Sequence, residues 1–132
     1  QISMNPISPT SFIKSENGQV YYCYTGIKTA GGTTDTMINI GNVGLDDLIV
    51  RMQCTADWTQ VAASLGFSVV IDGHDILYMV NDTSAGIDVQ PPWHMEFISE
   101  AQTSLEVKTF SDGASLGASR SVILIASPLR GA

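Results

Sequence analysis

From Gln19 onward, apolar and polar residues alternate with a period of two. Val20, Tyr22 and Tyr24 alternate with Tyr21, Cys23 and Thr25, and Leu48, Val50, Met52 and Cys54 alternate with Ile49, Arg51, Gln53 and Thr55. Phe67, Val69 and Ile71 alternate with Ser68, Val70 and Asp72. Residues two apart share one face of a strand, so each run predicts a strand with one face on a core. Further strands are predicted over residues 34–42, after the flexible Gly31-Gly32, and over 94–99 and 103–110. In the last of these, Leu105 and Val107 point one way while Glu106 and Lys108 point the other. Residues 121–129 break the alternation. Val122, Ile123, Leu124 and Ile125 are consecutive, the pattern of a strand buried on both faces.

Turn chemistry punctuates these runs. Asp72-Gly73 predicts a tight hairpin, because glycine accepts the positive φ such a turn needs, with the return strand over 76–80. A loop rich in Asn, Asp, Thr, Ser, Gly and Pro follows over 81–92, and Asp112-Gly113 opens a second Gly/Ser-rich turn. Trp58, Val61, Ala62 and Leu65 have helical spacing with Asp57 placed to cap them; a single helical turn and an irregular loop both fit. Residues 1–18 differ. Pro6 and Pro9 bar regular pairing, so the segment reads as an extended, irregular arm whose apolar residues are Ile2, Met4, Ile7, Phe12 and Ile13. An arm this apolar is expected to lie against its own domain or a neighbouring subunit, which makes those five residues candidate subunit contacts. The predicted organisation is the arm, 1–18, followed by one domain, 19–132. About eight short strands separated by turns describe an all-β antiparallel sandwich of jelly-roll type.

Composition narrows the function classes. The 132 residues suffice for one domain. Only 14% of them are charged, against roughly 25% in an average soluble domain, and 25 Ser and Thr make up much of the polar surface. Helical bundles and disordered chains need far more charge. The net charge is −7, and the six basic residues, Lys14, Lys28, Arg51, Lys108, Arg120 and Arg130, are scattered, so nucleic-acid binding through phosphates is not expected. No apolar run approaches the ~20 residues of a membrane-spanning helix, and residues 1–14 lack the basic start and apolar middle of a signal peptide. Cys23 and Cys54 read either as free buried thiols or as a disulfide pair, and their spacing matches no zinc motif.

Candidate chemistry is sparse. Asp72, His74 and Asp75 cluster at one turn and Asp46-Asp47 at another; both suit local hydrogen bonding better than a calcium loop, so no metal or other cofactor is expected. Serines are plentiful, but no Gly-x-Ser-x-Gly elbow occurs, and Gly26, Gly31 and Gly32 do not form a dinucleotide fingerprint. An enzyme is not expected. Asn81-Asp82-Thr83 fits the glycosylation triplet, a pattern frequent by chance. Trp93 and His94 follow Pro91-Pro92 and form either a ligand-facing loop or a core anchor. Tyr21, Trp58, Tyr78 and Trp93 are candidates for a platform on which a sugar ring stacks.

Three stretches carry a resemblance: "GQVYYCYTGIKTAGGTTDTMINIGNVGLDDLIVRMQCTADW", "GFSVVIDGHDILYMV" and "TSLEVKTFSDGASLGASRSVILIASPL". Across residues 19–129 the chain resembles the small jelly-roll structural proteins of tailed-bacteriophage virions, the capsid decoration or cement proteins and the head domains of fibres. The matching positions are the hairpin from Val69 to Gly73, the strand from Thr103 to Val107 and the closing strand from Val122 to Ala126. The same style is similar to the trimeric jelly rolls of the complement and tumour-necrosis type. The resemblance implies a non-enzymatic virion part that contacts the major capsid protein or other virion subunits and forms a homo-oligomer, with a trimer favoured. Its alternatives are a receptor- or carbohydrate-binding fibre head and a secreted accessory module of an enzyme.

Overall fold

The computed structural model describes residues 9–16, 19–61, 64–82 and 93–129. These contain nine strands: β1 (Ile13–Lys14), β2 (Tyr21–Tyr24), β3 (Thr34–Ile40), β4 (Leu48–Ala56), β5 (Ser64–Ile71), β6 (His74–Asp82), β7 (Trp93–Ser99), β8 (Leu105–Ser111) and β9 (Arg120–Pro128). All pairings are antiparallel. One sheet has the order β1-β2-β9-β4-β7 and the other β3-β8-β5-β6. Strands β2 to β9 form one long ribbon folded back on itself, with β5 on β6, β4 on β7, β3 on β8 and β2 on β9. Rolling that ribbon sets β9 beside β4 and β8 beside β5, which closes the two sheets into a jelly roll.

The ribbon turns at its tip as the sequence predicts. Asp72 and Gly73 both have positive φ, 50° and 81°, and Ile71 pairs directly with His74. That is a two-residue type I′ hairpin, and it starts the return strand at His74, two residues earlier than expected. The ambiguous stretch resolves into one 3-10 turn, Trp58–Gln60, with the Asp57 carboxylate accepting from the Thr59 amide. The end of the arm also acquires order. Once past Pro9, every residue again has an amide to pair, and Ile13–Lys14 join the edge of the five-stranded sheet beside Tyr22 and Tyr21. Phe12 packs on the core, its ring 6.2 Å from that of Tyr21. Ile2, Met4 and Ile7 lie outside the described residues.

The core is the seam between the sheets. Val50, Met52, Leu124 and Val122 from one side meet Leu65, Phe67, Val69 and Val107 from the other, all fully buried. Arg120, at one end of β9, is buried among them at 1% exposure. Its guanidinium donates through Nη1 to the hydroxyls of Thr109 (2.9 Å) and Ser111 (3.2 Å), through Nη2 to the Ser115 carbonyl (2.8 Å), and through Nε to the Ala118 carbonyl (3.1 Å). One side chain thereby ties the five-stranded sheet to β8 of the other. Burial lowers its pKa, and the Asp35 carboxylate opposes that fall.

Cys23 and Cys54 are free and buried. Cys23 pairs with Leu124 and Cys54 with Val122, so β9 runs between them. Two strand spacings are about 9.5 Å, beyond the ~7 Å that a disulfide spans. Burial pushes the thiols from 9.0 up to about 11 for Cys23 and about 12 for Cys54. The folded chain therefore holds both protons more tightly than the unfolded chain. Stability from this source is intact below pH 9 and falls as pH rises toward those values, by roughly 1–2 kcal/mol per pH unit from each thiol. Urea titrations at pH 8 to 11 check this: a Cys23→Ala, Cys54→Ala variant is expected to lose clearly less stability over that range than the native chain, and parallel losses in the two proteins would contradict it.

Candidate functional site

The alternation that fills the core also decides what faces outward. In β9 the burial pattern alternates strictly: Val122, Leu124 and Ala126 are buried, Ile123 is half-buried and Ile125 is 44% exposed. The expectation of a strand buried on both faces is thus corrected. Strand β9 is hydrogen-bonded on both edges, but a two-layer sandwich covers only one face of each sheet. The apolar run continues because its second face is an apolar surface.

Register places the neighbours of that surface. Ile13, Tyr22, Ile125, Arg51 and Glu96 form one row across β1, β2, β9, β4 and β7. Tyr24, Ile123, Gln53 and His94 form the next, and Ser127, Ile49 and Ile98 lie on the other side. Ile13, Tyr22, Tyr24, Ile98 and Ile125 are between 43% and 57% exposed. Tyr22, Tyr24, Ile123 and Ile125 are neighbours in register and form an apolar cluster on this face. The Arg51 Nε lies 3.2 Å from a Glu96 carboxylate oxygen, an exposed pair worth little energy but fixed in register by β4 and β7. Thr55 and Ser121 share a 2.6 Å hydrogen bond between their hydroxyls farther along β4 and β9. Between the apolar and polar halves runs a groove of about 370 Å³, lined by Arg51, Gln53, His94, Glu96, Ile123 and Ile125. Its chemistry is that of a contact surface with one ion pair.

The sequence-predicted candidates are dispersed. Trp93 and His94 are consecutive in β7 and so point to opposite faces. Trp93 turns inward against Trp58 (5.1 Å between ring centroids) and edge-on to Phe67 (6.1 Å), whereas His94 stands on the outer face. The four rings proposed as a sugar platform do not form one surface; of them, Tyr78 and Trp93 line a common groove between β6 and β7. Tyr21 and Trp58 are buried, Trp93 is half-buried, and Tyr78 lies on the outer face of the other sheet, stacked on Phe110 at 4.7 Å. The turn aspartates bond to remote segments rather than within their own turns: Asp72 accepts from the Ser104 amide, Asp46 from the Tyr21 hydroxyl, and Asp47 from the Ala101 amide. Among the described residues no three His, Cys, Asp or Glu side chains converge as a metal site would require. The sequence does not single out the outer face: the alternation in β2 leaves open which phase points outward, and Ile123 and Ile125 read as part of a strand buried on both faces.

No protein-family model matches the chain, and no curated protein matches it in sequence. Several solved structures are similar. The VP2 subviral particle of infectious bursal disease virus is 17% identical at a TM-score of 0.49, over 83% of this chain and 32% of that one. This chain thus spans about a third of the capsid chain it matches. The Eiger TNF of S. frugiperda is 9% identical at a TM-score of 0.44, over 96% of this chain and 95% of that one. A CBM36-1 domain of a multidomain xylanase from the hindgut metagenome of Trinervitermes trinervoides is 7% identical at 0.42, over 98% and 94%. At such identities and scores the likenesses carry no weight for function, and the jelly roll rests on the strand order itself.

Proposed function

We propose that this chain is a structural subunit of a virion, a capsid decoration or cement protein of the tailed-phage kind its sequence resembles, which stabilises the particle through subunit–subunit contacts. The observation that carries this reading is the outer face of the five-stranded sheet, where Ile, Tyr, Thr and Ser are joined by Gln53, His94 and one ion pair. Interface cores are depleted in charge and enriched in aromatic residues in this way. A rolled sandwich with a filled core supplies a rigid block to present such a face, and the apolar arm residues Ile2, Met4 and Ile7 are proposed to add contacts to a neighbouring subunit. The reading assigns the chain no catalytic role and no cofactor.

The test is co-sedimentation of the purified chain with particles of its virus that lack it. Saturable binding, and a higher temperature of capsid disruption, are expected; removal of residues 1–8 is expected to weaken binding while the circular dichroism of the domain is unchanged. A chain that never co-sediments overturns the reading. A fibre head is the second reading, favoured by Tyr78, which is 67% exposed and backed by Phe110. Glycan-array binding lost on Tyr78→Ala or Trp93→Ala would select it.

A further inference from the structure

We propose that the outer face of the five-stranded sheet binds a second copy of this chain, the two sheets packing face to face about a two-fold axis that runs along β9. The inference rests on the reading above, that the chain is an assembly subunit, and names the partner of its apolar face.

Charge is the first reason. At a net charge of −7, two copies repel over most of their surfaces. Among the described residues the outward positions of β2, β9, β4 and β7 carry one cation and one anion, Arg51 and Glu96, which cancel, with His94 beside them. Two such faces approach each other without net repulsion.

Register is the second. Tyr22 and Arg51 flank Ile125 in a single row, one strand to either side of β9. A two-fold axis along β9 therefore sets Ile123 and Ile125 against their own counterparts and places each Arg51 over the other chain's Tyr22. A guanidinium on an aromatic face is a favourable contact, and this geometry makes it twice. The same operation lays Tyr24 across from Gln53. Sheets packed in this aligned manner sit about 10 Å apart, the distance that side chains of Ile and Tyr size fill.

Size is the third. Strands β2, β9, β4 and β7 hold 4, 9, 9 and 7 residues; at about 3.4 Å per residue and about 4.8 Å per strand they give a projected area of roughly 470 Å², before the relief of the side chains is added. A standard interface buries about 800 Å² of accessible surface per partner. With the relief of its Ile and Tyr side chains added, the face approaches that extent.

The two-fold pair differs from the trimer that the resemblance implies, so mass in solution decides between them. The experiment is sedimentation equilibrium of the full chain. The native chain is expected to have twice the chain mass. Ile125→Asp puts a carboxylate on the axis in both copies and is expected to raise the dissociation constant by about a hundredfold or more. Arg51→Glu, at a side chain already exposed to water, is expected to weaken the pair by about tenfold. Leu45→Asp, on an exposed loop away from the face, is expected to leave the mass unchanged. A monomeric or trimeric native chain overturns the proposal, and so does a pair that persists in a folded Ile125→Asp variant. Should that variant not fold, the Arg51→Glu result decides. Co-sedimentation with particles is measured in parallel. A monomer that still decorates capsids overturns the pairing alone, whereas a dimer that never does overturns the virion reading alone.

Discussion

Replacing Arg120 by alanine is expected to lower the free energy of unfolding by about 3–5 kcal/mol, a large part of the ~5–15 kcal/mol that holds a domain of this size together. The guanidinium makes four hydrogen bonds inside the sandwich, all to uncharged groups. Removing it leaves the carbonyls of Ser115 and Ala118 without this donor and opens a cavity between the sheets, and both effects add to the cost. The Thr109 hydroxyl keeps one bond, donated to the Gly66 carbonyl at 3.0 Å, so the loss is not total. Arg120→Lys is expected to recover less than half, because one ammonium cannot reproduce a planar fork that reaches β8, the Ser115 carbonyl and the Ala118 carbonyl together. Urea denaturation measures both variants. A loss below about 1 kcal/mol for the alanine variant would mean that water or local repacking replaces the fork.

Gly66→Ala is expected to cost about 3 kcal/mol or more. Gly66 sits in β5 with Phe110 paired on one side and Val80 on the other. A methyl there would overlap the Met79 carbonyl oxygen and Cε2 of the Phe110 ring, with Cζ of that ring at only 2.8 Å. The ring lies over the glycine and carries Tyr78 stacked beside it. A backbone oxygen cannot swing aside as a side-chain tip can. Combining Gly66→Ala with Phe110→Ala is therefore expected to recover only part of the loss, since the conflict with Met79 remains. Thermal unfolding of the three variants checks this. Full recovery in the double variant would place the whole conflict in the ring.

Much of the roll was legible because strand faces and turns are written locally. The alternation in β4 and β5 and the Asp72-Gly73 pair specify strand, face and hairpin without reference to distant residues. Partners were not legible, since which strands meet depends on pairings as remote as Tyr21 with Ala126. The outer face illustrates the limit most clearly. An apolar run with no polar interruption has two physical explanations, double burial within the chain and an exposed face that awaits a partner, and Val122 to Ile125 read the same under both. Only the count of layers separates them. Arg120 was similarly opaque: it is one of six scattered basic residues, and nothing local announces that Thr109, Ser111 and Ser115 converge on it. The pairing of Trp93 with Trp58 depends on β7 and the 3-10 turn meeting across the core, which single-residue spacing does not encode.

The nested pairing of the ribbon also bears on how the chain finds its structure. Tyr21 and Ala126 lie far apart in sequence, and bringing them together from an open chain is entropically slow. Strands β5 and β6 need close only the two-residue turn at Asp72-Gly73. Once they are paired, β4 and β7 are ends of a shorter effective loop, then β3 and β8, and finally β2 and β9. The roll is thus wired to zip from its tip toward its ends, and the last pair to form, β2 with β9, adds Tyr22 and Tyr24 to Ile123 and Ile125. The surface by which the chain is proposed to pair is completed only when its own folding is.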